Sequence, residues 1–124
     1  MNINMKYWKE RIAKQEAENQ RLAEQARKEA NLIVEVLIRD FGITKAMLFG
    51  SLTKGTFSEE SDIDLAVEGL KPSDYFPALA AANRQTYRWV DLKPLEDLYP
   101  HFKEKVFSTG ECIYDARDKG FPNK

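Results

Sequence analysis

Leu48-Phe49-Gly50-Ser51-Leu52-Thr53-Lys54-Gly55, with Ser61-Asp62-Ile63-Asp64-Leu65 following it, is the stretch on which the reading of this chain turns. Ile43 to Phe49 is a short apolar run that stops at Gly50-Ser51, the pattern of a strand entering a turn. Residues 52–61 are polar and contain Gly55, a loop or one helical turn. Asp62 to Val67 is apolar again apart from two carboxylates at a two-residue step, which predicts a second strand. On a strand, residues i and i+2 face the same way, with Cα atoms about 6.6 Å apart at roughly 3.3 Å per residue. Asp62 and Asp64 therefore share one face, while Ile63 and Leu65 turn to the core. Two carboxylates on one face repel unless a cation sits between them. Hard oxygen donors of this kind suit Mg²⁺, which takes one or two carboxylates together with substrate phosphates. Alone, Asp-x-Asp is more often a solvated turn.

A second Mg²⁺, about 3.5–4 Å from the first, would need a third carboxylate. Asp91 is the candidate. It lies in Tyr87-Arg88-Trp89-Val90-Asp91-Leu92, a third predicted strand over Tyr87–Lys93, where a carboxylate is out of place by propensity. Pairing of this strand beside the Asp62–Asp64 strand would bring three acids together; otherwise Asp91 is an ordinary outward-facing residue. Gly50-Ser51 supplies the complementary half. Glycine lets the backbone approach a ligand closely, serine adds a hydroxyl donor, and a helical turn beginning at 51 would aim N–H groups at phosphate oxygens. Lys54 would add charge there. Phosphate donors and divalent-metal ligands are the two halves of a nucleoside-triphosphate site.

The rest of the chain frames this stretch. From Lys6 to Asp40 there is no Gly or Pro, and Ala, Glu, Gln, Lys and Arg dominate, so one helix is expected, ended by Gly42. At 35 residues it would be roughly 52 Å long. Leu22, Ala26, Ala30, Ile33, Leu37 and Phe41, widened by Val34 and Ile38, form an apolar stripe that should pack on the core. Lys14 to Arg21 is polar all round, and Glu10–Lys14 and Glu24–Lys28 have the order that supports an exposed helix. Tyr7, Trp8 and Ile12 make an apolar tip beyond that section. It is either a frayed arm whose aromatics fold back, or a lever that reaches a partner or a second copy.

Downstream, Asp74 is placed to cap a helix over 75–85, another helix is expected over 100–108, and Glu111 to Tyr114 reads as a last strand. The organisation is then 1–41, a long N-terminal helix; 42–115, the core; and 116–124, a loose tail. The fold class is α/β or α+β: a small mixed sheet flanked by helices.

Composition agrees with one soluble domain. The 124 residues hold 43% hydrophobic and 31% charged side chains, and 19 basic against 20 acidic groups give a net charge of −1. That balance argues against direct nucleic-acid binding, which needs surplus cations to displace counterions. No apolar run approaches the roughly 20 residues of a membrane helix, and the first residues lack a signal-peptide pattern, so a cytoplasmic protein is expected. One cysteine, Cys112, excludes an intrachain disulfide and reads as a small buried hydrophobe. His101, the single histidine, reads as structural, and Trp89 as a core residue of the sheet.

Gly50-Ser51-x10-Asp62-x-Asp64 with the later Asp91 resembles the signature of the nucleotidyltransferase superfamily that includes DNA polymerase beta. LFGSLTKG followed by SDIDLAVEG is similar to the minimal nucleotidyltransferases of prokaryotes, and the resemblance spans about 43–115. It implies that Gly50 and Ser51 bind the triphosphate, that Asp62 and Asp64 hold the metal ions, and that Asp91 completes the metal site and activates the acceptor hydroxyl. Many relatives carry Arg in the Gly-Ser loop, where this chain has Lys54. Two Mg²⁺ ions and ATP are the cofactor and co-substrate so implied. Minimal members often accompany a HEPN-domain toxin, which implies an antitoxin that adenylylates a tyrosine of that partner. Two other readings remain open: a non-catalytic module that neutralises its partner by contact, and an enzyme modifying a small molecule of the aminoglycoside type. A homo-oligomer through the N-terminal helix is a further expectation.

Overall fold

A run of 37 residues without glycine or proline winds into one helix, α1 (Met5–Phe41), about 55 Å long. The computed structural model describes residues 4–118 of the chain. Asn4 starts α1, its side chain accepting the Tyr7 N–H at 3.0 Å. Gly42 stops it in the left-handed conformation (φ 69°), with its N–H directed to the Leu37 and Ile38 carbonyls. The packed half is the predicted one: Ala26, Ala30, Ile33, Val34 and Leu37 are buried against the sheet, with Leu22, Ile38 and Phe41 partly buried beside them.

Four strands form a mixed sheet in the order β3-β2-β1-β4: β1 (Lys45–Phe49), β2 (Ile63–Glu68), β3 (Val90–Pro94) and β4 (Glu111–Asp115). β1 runs antiparallel to both β2 and β4, and β2 runs parallel to β3. Strand alternation divides the core into two layers. Ala46, Leu48, Ile63, Leu65, Val67, Val90 and Leu92 pack under α1 and α3 (Tyr75–Asn83). Met47 and Ala66 face the other way, onto Val106 of α4 (Pro100–Thr109), with Phe49 meeting Phe102 edge to face at 5.9 Å. A one-turn helix, α2 (Ser51–Lys54), joins β1 to the loop before β2. It is held to the frame by Arg27 of α1, which makes a two-pronged ion pair with Glu111 (2.8 and 2.9 Å) and donates to the Leu52 carbonyl at 3.3 Å.

Several expectations are corrected. Asp74 does not cap α3: the chain enters through a 3₁₀ turn, Pro72–Asp74, which leaves Asp74 helical (φ −96°, ψ 0°) and not in the extended conformation a cap requires. Cys112 is exposed, because β4 is the edge strand and its first two residues are uncovered. Trp89 is 57% exposed; it precedes β3 on the parity of Asp91, opposite the buried Val90 and Leu92. Neither Glu10–Lys14 nor Glu24–Lys28 is an ion pair; Arg21 instead pairs with Glu18. His101 is exposed. The segment expected to be loose starts with Ala116 bonded to the Thr44 carbonyl at 2.9 Å, and its end, from 119, lies outside the described residues. No helix among the described residues is long and apolar enough to cross a membrane.

The N-terminal half of α1 does not fold back. Every residue from 4 to 18 is exposed, with Tyr7 edge-on to Trp8 and Arg11 over both rings. Since it buries nothing, deletion of residues 1–17 is expected to move the thermal midpoint by less than about 2 °C, measured by circular dichroism. A larger loss would show that the arm supports the core.

Candidate active site

The sheet brings Asp64 and Asp91 side by side. In the parallel ladder of β2 and β3, Ile63 pairs with Val90, Asp64 with Asp91 and Leu65 with Leu92. Ile63, Leu65, Val90 and Leu92 are buried in the α1 layer, so alternation turns both aspartates to the opposite face. Asp62 stands just before β2, exposed, and its charge reaches Asp64. Burial first, and then the neighbouring charges of Asp91 and Asp62, raise the Asp64 carboxyl from 3.8 to about 6. Lys93, two residues beyond Asp91 on the same strand face, opposes that rise and places its Nζ 3.1 Å from Asp91 Oδ1. Lys93 is the site residue that sequence reasoning missed. The two-residue rule that paired Asp62 with Asp64 would have found it.

Gly50 meets these acids from β1. Phe49 is in register with Asp64, and Gly50 then turns the chain with φ 77° and ψ −148°. A Cβ on Gly50 would collide with the Asp64 carboxylate, approaching its Cγ to 2.9 Å. Only a glycine lets the turn and the acid approach this closely. The Thr53 N–H, the Thr53 hydroxyl and the Lys54 N–H all point back to the Gly50 carbonyl, at 3.1, 2.9 and 3.2 Å. Those bonds shape the turn so that the Ser51 and Leu52 N–H groups lead α2, ahead of any intrahelical acceptor. Lys54 closes the turn, exposed and in no ion pair among the described residues. Gly50, Ser51, Asp62, Asp64 and Asp91 thus gather at one end of the sheet. Lys54 stands at the margin.

The donor set fits a hard divalent cation in chemistry and in charge. Among the described residues no three acidic, His or Cys side chains form a ready-made cage. Asp62 stands outside the strand and Lys93 engages Asp91. Such a set suits an ion that arrives with a triphosphate and keeps part of its shell from phosphate and water.

Beside Asp62 opens a hollow of about 500 Å³, between Leu22, Gln25 and Glu29 of α1, the loop Glu59–Asp62, and Thr86–Trp89. A larger groove of about 620 Å³, around Leu70, Tyr75, Phe76 and Pro94, lies at the opposite ends of β2 and β3, away from the acids.

The polymerase beta nucleotidyltransferase family model matches residues 31–119, and the chain belongs to that family. Solved structures repeat the fold. One is a chain of a toxin–antitoxin crystal structure with AMP-PNP: 24% identity, TM-score 0.60, covering 68% of this chain and 73% of that one. Another is a chain of the complex of tri-AMPylated Shewanella oneidensis HEPN toxin with MNT antitoxin: 20% identity, TM-score 0.58, covering 72% and 71%. A candidate nucleotidyltransferase from Sulfolobus solfataricus aligns at 26% identity and TM-score 0.54, covering 82% and 90%. No curated protein sequence matches.

Proposed function

We propose that this nucleotidyltransferase transfers AMP from ATP to a tyrosine hydroxyl of a HEPN-type toxin and thereby acts as its antitoxin. The register of Asp64 with Asp91, facing the Gly50-Ser51 turn, carries the reading. It supplies, at one end of one sheet, an acidic pair opposite a glycine turn that carries a serine hydroxyl. The toxin–antitoxin complexes that share the fold, one with a tri-AMPylated toxin, support the choice of acceptor.

Asp62, Asp64 and Asp91 would hold Mg²⁺, which when bound neutralises the triphosphate and polarises the α-phosphorus. The Ser51 and Leu52 N–H groups and the Ser51 hydroxyl receive phosphate oxygens. Asp91 accepts the proton of the attacking hydroxyl, and Lys93, its Nζ 3.1 Å from Asp91 Oδ1, orients that carboxylate. The oxygen–phosphorus bond to the acceptor forms as the bond to pyrophosphate breaks. Trp89, exposed on the parity of Asp91, offers an aromatic surface beside the reacting groups. A nucleotide placed on a toxin tyrosine would shield its RNA-cleaving site by bulk and negative charge. The protein is expected to act in the cytoplasm.

Incubation with α-labelled ATP, Mg²⁺ and the cognate HEPN protein tests this. Label should move to the partner, and Asp62→Asn with Asp64→Asn should reduce it by at least about 10³-fold. Tight complex formation without any transfer would instead establish neutralisation by contact.

A further inference from the structure

Arg88 ties the loop before Asp62 to the strand that carries Asp91. Its Nη1 donates to three carbonyls of that loop: Ser58 at 3.2 Å, Glu59 at 2.9 Å and Ser61 at 2.8 Å. The guanidinium lies over the Phe57 ring, 4.5 Å from its centroid, and Phe57 is itself buried. Arg88 is fixed in turn: its N–H donates to the Thr86 hydroxyl at 3.0 Å, and that hydroxyl donates to Glu29 Oε1 of α1 at 2.6 Å. Within the loop, the Ser58 N–H donates to the Ser61 hydroxyl at 3.0 Å. A chain of bonds therefore runs from α1, through Thr86 and Arg88, to the carbonyl immediately before Asp62.

The placement has a physical consequence for the acids. Asp64 and Asp91 are held by the sheet ladder, but Asp62 lies outside β2, and its exposed side chain makes no hydrogen bond among those described. The loop that delivers it has no strand partner between 55 and 62. Arg88 supplies the missing restraint, with a charged donor on three carbonyls and a planar group stacked on an aromatic floor. It sits three residues before Asp91, so the same side chain couples the position of Asp62 to that of Asp91.

We propose that Arg88 is a positioning residue of the nucleotidyl-transfer site, setting the separation of Asp62 from Asp64 and Asp91 so that the three can share metal ions. The inference rests on reading Asp62 as a metal ligand. Outer partners that orient ligands typically govern metal affinity or activity by about 10–100-fold. A residue serving only the stability of the loop would leave metal affinity unchanged once the protein is folded.

Arg88→Met keeps an unbranched side chain beside Phe57 and removes the donors; Arg88→Lys restores a charged group with three donors. Three readouts separate the possibilities: amide exchange at 58–62, Mn²⁺ affinity by electron paramagnetic resonance with a non-hydrolysable ATP analogue present, and label transfer. Arg88→Met should exchange at least about tenfold faster in that loop, bind Mn²⁺ about 10–100-fold more weakly, and lose kcat by a similar factor while KM for the acceptor stays within threefold. Arg88→Lys should recover at least about a third of the lost affinity. Should Arg88→Met fail to fold, Thr86→Val replaces it, with a smaller expected loss of about three- to tenfold. A folded Arg88→Met protein with parental Mn²⁺ affinity, or with unchanged exchange at 58–62, overturns the proposal. If the parent itself transfers no nucleotide, the functional reading fails separately, and Mn²⁺ affinity with loop exchange still decides the role of Arg88.

Discussion

Gly50→Ala is expected to remove nucleotidyl transfer and much of the stability together. At φ 77° and ψ −148° the backbone occupies a region that essentially only glycine enters, at a cost of about 1–3 kcal/mol for any other residue. The added methyl also meets the Asp64 carboxylate, so either the turn or the acid must move. Strain and displacement together should lower unfolding free energy by about 3–4 kcal/mol, read from the urea midpoint at constant slope. Displacement of a reacting group by about 1 Å costs on the order of 100-fold in rate, and transfer should fall by at least that. Gly42→Ala is the control. It also has positive φ, at 69°, yet its Cβ would meet nothing within 4 Å, so a loss of about 1 kcal/mol with unchanged transfer is expected. Transfer by Gly50→Ala within threefold of the parent would show that the triphosphate does not lie on this turn.

Asp64→Asn should inactivate the protein and make its metal-free form more stable. The sign follows from linkage. Asp64 titrates near 6 in the folded state against 3.8 for an ordinary aspartate, so between those values the folded protein holds a proton that the unfolded chain has lost. Stability from this group is therefore full below about pH 4 and declines as pH rises through 6. Above that the ionised Asp64 opposes folding. Two pKa units correspond to about 3 kcal/mol, which solvent access reduces to about 1–2 kcal/mol. Removing the charge should then raise the midpoint by about 4–8 °C at pH 7.5 in chelator, with little gain at pH 4. Mg²⁺ with nucleotide should stabilise the parent at pH 7.5 and leave Asp64→Asn unmoved. A destabilised variant at pH 7.5 would mean that Asp64 forms a structural bond worth more than its electrostatic cost.

The acids were legible in the sequence because strand alternation is local. Once Ile63 and Leu65 point inward, Asp64 must point outward, and the hydrophobic step at Val90 and Leu92 makes the same statement about Asp91. The spacing could not say that β3 lies beside β2, in parallel, with those two residues in register. That neighbour relation is a tertiary fact, and it is what gathers the site. Trp89 was misplaced by treating an aromatic as core by type, although its parity with Asp91 already assigned it to the outer face. Cys112 was misplaced because edge position is invisible in a pattern of apolar residues. Arg88 escaped notice because its partners, the carbonyls of Ser58, Glu59 and Ser61, are defined only when the elements meet, whereas Lys93 was within reach of the same alternation that exposes Asp91. The length of α1 and its stop at Gly42 were plain from propensity alone.

The first four or five turns of α1 extend past its packed half, on the side where Glu16, Asn19 and Gln20 flank Leu52 and Phe57. Roughly 25 Å of helix therefore projects as a cantilever, so that a small tilt of the packed half is magnified at Tyr7 and Trp8.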